Sequence, residues 1–262
     1  KMPFDGVWLD MNEIASFVTG ALYKASGDVS LYETIPFSPG KTSLEHKTSD
    51  LEAVHFGNIE EFDALSLFNL LQQEATYNYL KTKSPMPFIL TRANVFGSGQ
   101  FASHWFGDSG SSWVEMRNSI AGMLRYNLFG MPHNGADICG FVGTPSAELC
   151  TRWTQLGAFY SFARNHHEID TGRQEPFLFE EKYRTPMIDA IRFRYSILKH
   201  FYTLFVSKGG VGTLIKPLFF EFSNDQNLLR FQNMSVVKFT EEQFMVGKSM
   251  MVAPVLYPSQ NQ

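Results

Sequence analysis

A basic excess, a long apolar run and the common catalytic signatures are all missing from this chain. Lysine and arginine total 22 against 26 aspartates and glutamates, a net charge of −4. Without a cationic surplus to neutralise phosphates, nucleic acid is not an expected partner. No apolar run approaches the roughly 18 residues that a bilayer crossing requires, so no membrane span is expected in this segment. Gly97-Ser98-Gly99 lacks the third glycine of a dinucleotide loop. Gly-x-Ser-x-Gly is absent, which removes the serine-hydrolase elbow. There is no His-Glu-x-x-His and no Cys/His cluster, so neither a metal nor a cofactor is expected, although His166, His167 and the aspartates have the chemistry to ligate.

Cysteine is scarce: only Cys139 and Cys150, eleven residues apart. A disulfide there would close a short loop, with at most roughly 3 kcal/mol of entropic stabilisation. Two reduced, buried thiols are the alternative, and spacing alone leaves both open. Asn233-Met234-Ser235 is an N-glycosylation sequon. Together these lean towards an oxidising, secretory compartment. The chain opens Lys1-Met2-Pro3-Phe4-Asp5, directly in front of a strand. That start leads us to expect a fragment of a longer protein, whose missing targeting segment carries no information.

Apolar residues make up 44% of the 262, enough for a sizeable core, and the 25 phenylalanines serve first as bulky core filling. Short apolar runs alternate with helical patterns. Strands are expected at Phe4–Leu9, Pro87–Thr91, Asn134–Ile138, Tyr160–Ala163 and Lys216–Phe222. Ser112 and Glu115 form a capping box ahead of Trp113, Met116, Ile120 and Met123, which share one helical face. Further helices are expected from Glu60 to about Lys83 and from Ala147 to about Phe159. Another should begin at Thr185-Pro186, with Ile188, Ile191, Tyr195, Leu198, Tyr202 and Phe205 as its apolar face and Gly209-Gly210 as its end. Repeated strand–helix units imply an α/β fold with a parallel sheet, either open or closed into a (β/α)8 barrel. A long irregular stretch at about 18–58 reads as a loop walling the site. Short strands at Phe244–Val246 and Ser249–Val255 suggest a second, β-rich domain. The expected division is 1–223 and 224–262.

The chemistry concentrates at strand ends. Asp10 follows the first strand in Trp8-Leu9-Asp10-Met11-Asn12-Glu13, and Asp108 closes His104-Trp105-Phe106-Gly107-Asp108. Barrel enzymes place catalytic groups at strand C-terminal ends. Two carboxyl groups, one ionised to attack and one protonated to donate, are what glycosidic hydrolysis requires. Either aspartate alone would read as a helix cap or turn residue; the pair, each beside a tryptophan, points to sugar chemistry. Arg92, Asp137 and His166 fall at neighbouring strand ends.

At these residues the chain resembles glycoside hydrolase family 31, the α-glucosidase family. The stretch Trp8 to Glu13 is similar to its nucleophile signature, and Gly99 to Asp108 to its acid/base signature. Gly135 to Phe141, Arg152 to Tyr160 and Arg164-Asn165-His166 also match, so the resemblance runs from residue 3 to about 258. It implies a (β/α)8 TIM barrel, represented here by about strands 4–8, followed by the beginning of an all-β C-terminal domain. It implies a retaining α-glucosidase acting on terminal α-linked glucose of oligosaccharides. Asp10 would be the nucleophile and Asp108 the acid/base, about 5–5.5 Å apart as in retaining enzymes. Arg92 and His166 would hydrogen-bond the sugar, with Asp137 in support. Trp8, Met11, Phe17, Trp105 and Phe141 would line the pocket. Cys139 and Cys150 fall where lysosomal and intestinal-type members carry a disulfide.

Three places depart from the family pattern: Ile14-Ala15 for the usual Pro-Ser, Leu65-Ser66 for His-Asn, and Gly107-Asp108-Ser109 for Gly-Asp-Asn. None removes a catalytic group. The implied location is the secretory pathway, lysosomal, vacuolar or extracellular, with the ER lumen an alternative because Asp170-Thr171-Gly172-Arg173 is closer to ER glucosidase II. An α-xylosidase or an inactive, sugar-binding scaffold are the other readings, and the isolated segment is expected to show no turnover.

Overall fold

A computed structural model describes residues 4–19, 44–207, 209–210, 212–226 and 241–259. The sequon at Asn233 and most of the long loop (20–43) lie outside the described residues. Two compact units divide the chain, Lys1–Ala102 and Ser103–Gln262.

In the first unit, β1 (Gly6–Leu9) ends at the catalytic candidate Asp10. Its expected start at Phe4 moves to Gly6, and Phe4 is exposed. A small hairpin, β2 (Val54–His55) and β3 (Ile59–Glu60), turns through Gly57 and Asn58, both at positive φ. It occupies the last part of what the sequence presents as loop. The single helix expected from residue 60 is two, α1 (Glu61–Ala64) and α2 (Leu67–Lys81). β4 (Phe88–Thr91) pairs with β1 in parallel, Gly6 opposite Phe88 and Leu9 opposite Thr91. A Cβ at position 6 would stand 2.8 Å from the Phe88 ring and 3.1 Å from its carbonyl oxygen, so glycine sets how closely the strands meet.

In the second unit, β5 (Ser103–Trp105) leads into α3 (Trp113–Leu128). The Ser112 side chain accepts from the Glu115 N–H, the serine half of the expected capping box, while the Ser112 N–H donates to the Gly110 carbonyl instead of to the Glu115 side chain. Met116, Ile120 and Met123 are fully buried, the helical face expected of them. The run Asn134–Ile138 splits into β6 (Asn134–Gly135), parallel to β5, and β7 (Asp137–Ile138). α4 (Ala147–Gly157) is capped by Ser146. The strand expected at Tyr160–Ala163 lies one step later, at β8 (Arg164–Asn165), parallel to β7. Tyr160 is instead drawn into the core. Its hydroxyl meets Ser119 Oγ at 2.5 Å and Trp153 Nε1 at 3.0 Å, and burial pushes its ionisation well above the ordinary value.

α5 (Glu181–Val206) starts four residues before Thr185, with Pro186 inside it. Near a helix start most N–H groups lack intrahelical partners anyway, so the proline forfeits little. Its core-facing stripe also differs from expectation. Met187 and Phe201 are buried, with Ile197 and Leu204 packed beside them, while Tyr195 and Tyr202 are exposed. The helix carries two apolar stripes, and periodicity does not say which one faces the core. Gly209 and Gly210, both at positive φ, end it by donating to the Val206 and Phe205 carbonyls.

The strand expected over Lys216–Phe222 stops early. β9 (Ile215–Lys216) is cut at Pro217, which has no N–H for a ladder, and Leu218–Phe220 form a 3-10 turn. β10 (Phe244–Val246) pairs antiparallel with β9 and with β11 (Met250–Val252). This three-stranded sheet shares one core with α3, α4 and α5.

Candidate active site

In the first unit the end of β1 is tied to the end of β4 by side chains. Arg92 donates its backbone N–H to the Leu9 carbonyl at 3.1 Å, extending the strand pairing by one bond. Its guanidinium then faces two carboxylates: Nη1 lies 3.2 Å from Asp10 Oδ1, while Nε and Nη2 donate to Glu13 Oε1 and Oε2 at 3.0 and 2.9 Å. Asp10 Oδ1 also accepts from the Met11 N–H at 2.9 Å. Met11 has a φ of 53°, an uncommon value for a side chain of its size. Trp8, Met11 and Phe17 are all exposed.

Beneath this surface lies a buried polar network. Asn12 is 4% exposed and Gln73 fully buried. Gln73 Nε2 and Thr91 Oγ1 both donate to the Ala93 carbonyl at 2.8 Å. Sequence reasoning assigned no role to Asn12, Glu13 or Gln73. No sequence signal marked Gln73: Leu67 and Leu71 of α2 are exposed, and the buried positions are Asn69, Gln73 and Leu80.

In the second unit the segment carrying Asp108 is pinned to the turn after β7. Ser109 accepts through its carbonyl from the Phe141 and Val142 N–H groups at 2.7 and 3.1 Å. Ser111 Oγ donates to the Gly143 carbonyl at 2.9 Å. Gly140, at φ 89°, has no room for a Cβ, which would lie 2.5 Å from Ser111 Cα. Asp108 itself is exposed. The Phe141 ring stacks on His166, centroids 5.1 Å apart. Asp108, Phe141 and His166 therefore stand on one interlinked set of strand-end turns.

Asp137 is fully buried and accepts two hydrogen bonds from Arg164, at 2.9 and 2.6 Å. The guanidinium lies over the Trp105 ring at 5.3 Å, and Trp105 is 1% exposed. Asp137, Arg164 and Trp105 thus form a layer under the surface. Gln174, also buried, ties the end of β7 to the end of β8: its Nε2 lies within 3.2 Å of the Ile138, Gly140 and His166 carbonyls and of Asn165 Oδ1. The Cys139–Cys150 disulfide is formed, both residues buried and their Cα atoms 4.5 Å apart. Among the described residues no group of three His, Cys, Asp or Glu side chains is arranged as a metal site, and no helix is long and apolar enough to cross a membrane.

Paired parallel strands with acidic residues at their C-terminal ends match a known pattern. The family model for the TIM-barrel domain of glycosyl hydrolases family 31 matches residues 1–204, and that for the family's C-terminal domain matches 212–262. The chain belongs to glycoside hydrolase family 31. A lysosomal acid α-glucosidase of Tetrahymena pyriformis is 37% identical over 290 residues, covering 97% of this chain and 30% of that protein. The lysosomal α-glucosidase of Mus musculus is 38% identical over 266 residues, covering 100% and 27%. Among solved structures, the DNJ-bound glucosidase II α subunit superposes with a TM-score of 0.78 at 31% identity, covering 99% of this chain and 25% of that one. The chain thus spans less than a third of these relatives' lengths. In family 31 terms, the parallel strand–helix units belong to the TIM barrel, and the antiparallel sheet falls largely within the C-terminal domain.

Proposed function

We propose that the protein is a retaining α-glucosidase, releasing terminal α-linked glucose from oligosaccharides of the starch or glycogen type. Asp10 is the nucleophile and Asp108 the acid/base. The observation that carries the reading is the Arg92 contact to Asp10 at 3.2 Å, at the C-terminal end of paired parallel strands. With Oδ1 engaged by Arg92 and the Met11 N–H, Oδ2 is the attacking atom.

Oδ2 attacks the anomeric carbon as Asp108 gives its proton to the glycosidic oxygen. The carbon–oxygen bond breaks, the alcohol leaves, and a β-glucosyl ester of Asp10 remains. Asp108, now a carboxylate, takes a proton from a water whose oxygen attacks the same carbon. The ester breaks, glucose leaves with its α configuration restored, and Asp108 is protonated again. Arg92 and His166 hydrogen-bond the sugar in the cleaved subsite, and Asp137 supports that network. Trp8, Met11, Phe17 and Phe141 supply the apolar surround on which a sugar ring packs, whereas Trp105, expected to line the pocket, is buried under Arg164 and does not face the sugar. The buried disulfide and the lysosomal relatives support work in an oxidising compartment of the secretory pathway.

The test is a mechanism-based cyclitol epoxide applied to the full-length protein, followed by peptide mass mapping. A label on Asp10 is expected, and Asp10→Asn should fold but lose activity. Wild-type turnover in that variant would refute the assignment. The likeness to glucosidase II α subunits favours one second reading, an ER-type enzyme. Hydrolysis of a glucosylated mannose glycan without activity on maltose would select it.

A further inference from the structure

The sugar chemistry uses Asp10 and Arg92 but gives Glu13 no task, although Glu13 makes the more intimate contact with Arg92. Both Glu13 oxygens take the Nε/Nη2 edge of the guanidinium, at 3.0 and 2.9 Å, and only Nη1 is left for Asp10. We propose that Glu13 is a positioning residue for the reaction. It clamps one edge of Arg92 in a fork, so that Arg92 presents a single donor group to Asp10 and to the bound sugar. The proposal rests on the reading of Asp10 as nucleophile.

The physical case has three parts. A guanidinium facing a lone carboxylate favours a two-bond, planar pairing that takes both oxygens. Left to Asp10 alone, Arg92 would turn its fork onto it and occupy the oxygen that must attack. Glu13 satisfies that preference instead, and Asp10 meets Arg92 through Oδ1 only. Secondly, the three side chains are 25–38% exposed, a setting where ion pairs add little to stability. Holding the fold together is therefore a poor account of the arrangement. Thirdly, the segment has its own anchor. Asn12, next to Glu13, is bonded to Thr91 Oγ1 and to the Ala93 N–H, so the backbone stays in place without the Glu13 carboxylate.

The experiment uses the full-length enzyme with Glu13→Gln, Arg92→Lys and the double variant. Glu13→Gln should retain the wild-type melting temperature while kcat/KM falls roughly 10–100-fold, the range for a lost hydrogen bond to a charged group. Labelling of Asp10 by the cyclitol epoxide should slow by a similar factor. Lysine cannot be forked, so in the Arg92→Lys background Glu13→Gln should cost less than about twofold. If Glu13→Gln does not fold, Glu13→Asp takes its place: it keeps the charge but withdraws it by one methylene. It should show a smaller loss, which again vanishes in the Arg92→Lys background. Wild-type kinetics in these variants, or losses that add in full to that of Arg92→Lys, would overturn the positioning role. An epoxide label on some other residue of the wild-type enzyme would instead overturn the Asp10 assignment, and this inference with it.

Discussion

Asn12 Nδ2 donates to Thr91 Oγ1 at 2.9 Å, and Asn12 Oδ1 accepts from the Ala93 N–H at 3.0 Å. One amide thereby locks the turn after β1 to the turn after β4. Because Asp10 sits two residues before Asn12, and Arg92 lies between Thr91 and Ala93, the two functional candidates of the first unit are held by a side chain that touches neither.

Asn12→Ala removes both bonds and leaves the Ala93 N–H buried without that acceptor. We expect a loss of about 1–3 kcal/mol, read from the urea midpoint at constant slope. The effect on kcat/KM should exceed that of an exposed substitution such as Phe4→Ala. A stability equal to wild type would mean that the turn is held by the backbone alone.

Asp137 is the second buried anchor. Its two bonds to Arg164 join a fully buried carboxylate to a guanidinium whose side chain is 21% exposed, so removing Asp137 leaves a largely buried charge uncompensated. Asp137→Ala should therefore destabilise by about 3–5 kcal/mol, enough to be seen as a large drop in melting temperature or failure to accumulate. Asp137→Asn, which keeps a hydrogen-bond acceptor, should cost less. Equal losses in the two variants would show that the charge is immaterial.

Legibility in the sequence follows what is local. The Ser112 cap of α3 and the helix end at Gly209-Gly210 are written within a few residues, and the structure has both, although the Ser112 N–H goes to the Gly110 carbonyl and not to Glu115. The parallel strand–helix order is likewise legible, since each strand's apolar run is short and bounded. What escaped depends on tertiary choice. α5 has two apolar stripes, and only packing selects Met187 and Phe201 over Tyr195 and Tyr202. Pro217 ends β9 two residues in, though the apolar run continues through Phe222. Within the site, residue types at strand ends pointed to Asp10, Arg92, Asp108, Asp137 and His166. Asn12, Glu13 and Gln174 escaped because their partners are 79 or more residues away for the first two, and mostly backbone carbonyls for the last.

The disulfide offers a separate stability test. Cys139 has a φ of 79°, and its bridge to Cys150 fixes the turn after β7 to α4. Replacing both cysteines with serine should cost about 2–4 kcal/mol. With both sulfurs fully buried, millimolar dithiothreitol should leave the native protein intact and act only after partial unfolding. Rapid reduction at neutral pH without denaturant would contradict that expectation.

His133 gives the fold a defined acid limit. Its ring lies edge-on to Phe162 and Phe205, centroids 5.9 and 5.8 Å away. Burial there, and next the positive charge of Arg194, hold its pKa down to about 4, while a hydrogen bond with the Ser161 backbone pulls weakly the other way. In the unfolded chain the same imidazole titrates near 6.5. Above 6.5 it is neutral in both states and contributes no slope. Between 6.5 and 4 the unfolded chain binds the proton and the native one does not, so stability falls as pH falls. The contribution amounts to roughly 3 kcal/mol at most by the time pH 4 is reached. Urea unfolding between pH 7 and pH 4 should show this loss, and His133→Gln should flatten that part of the profile whatever its stability at pH 7. If the variant keeps the wild-type slope, the acid sensitivity belongs to other groups, and His133 titrates in the native protein as it does in the unfolded chain.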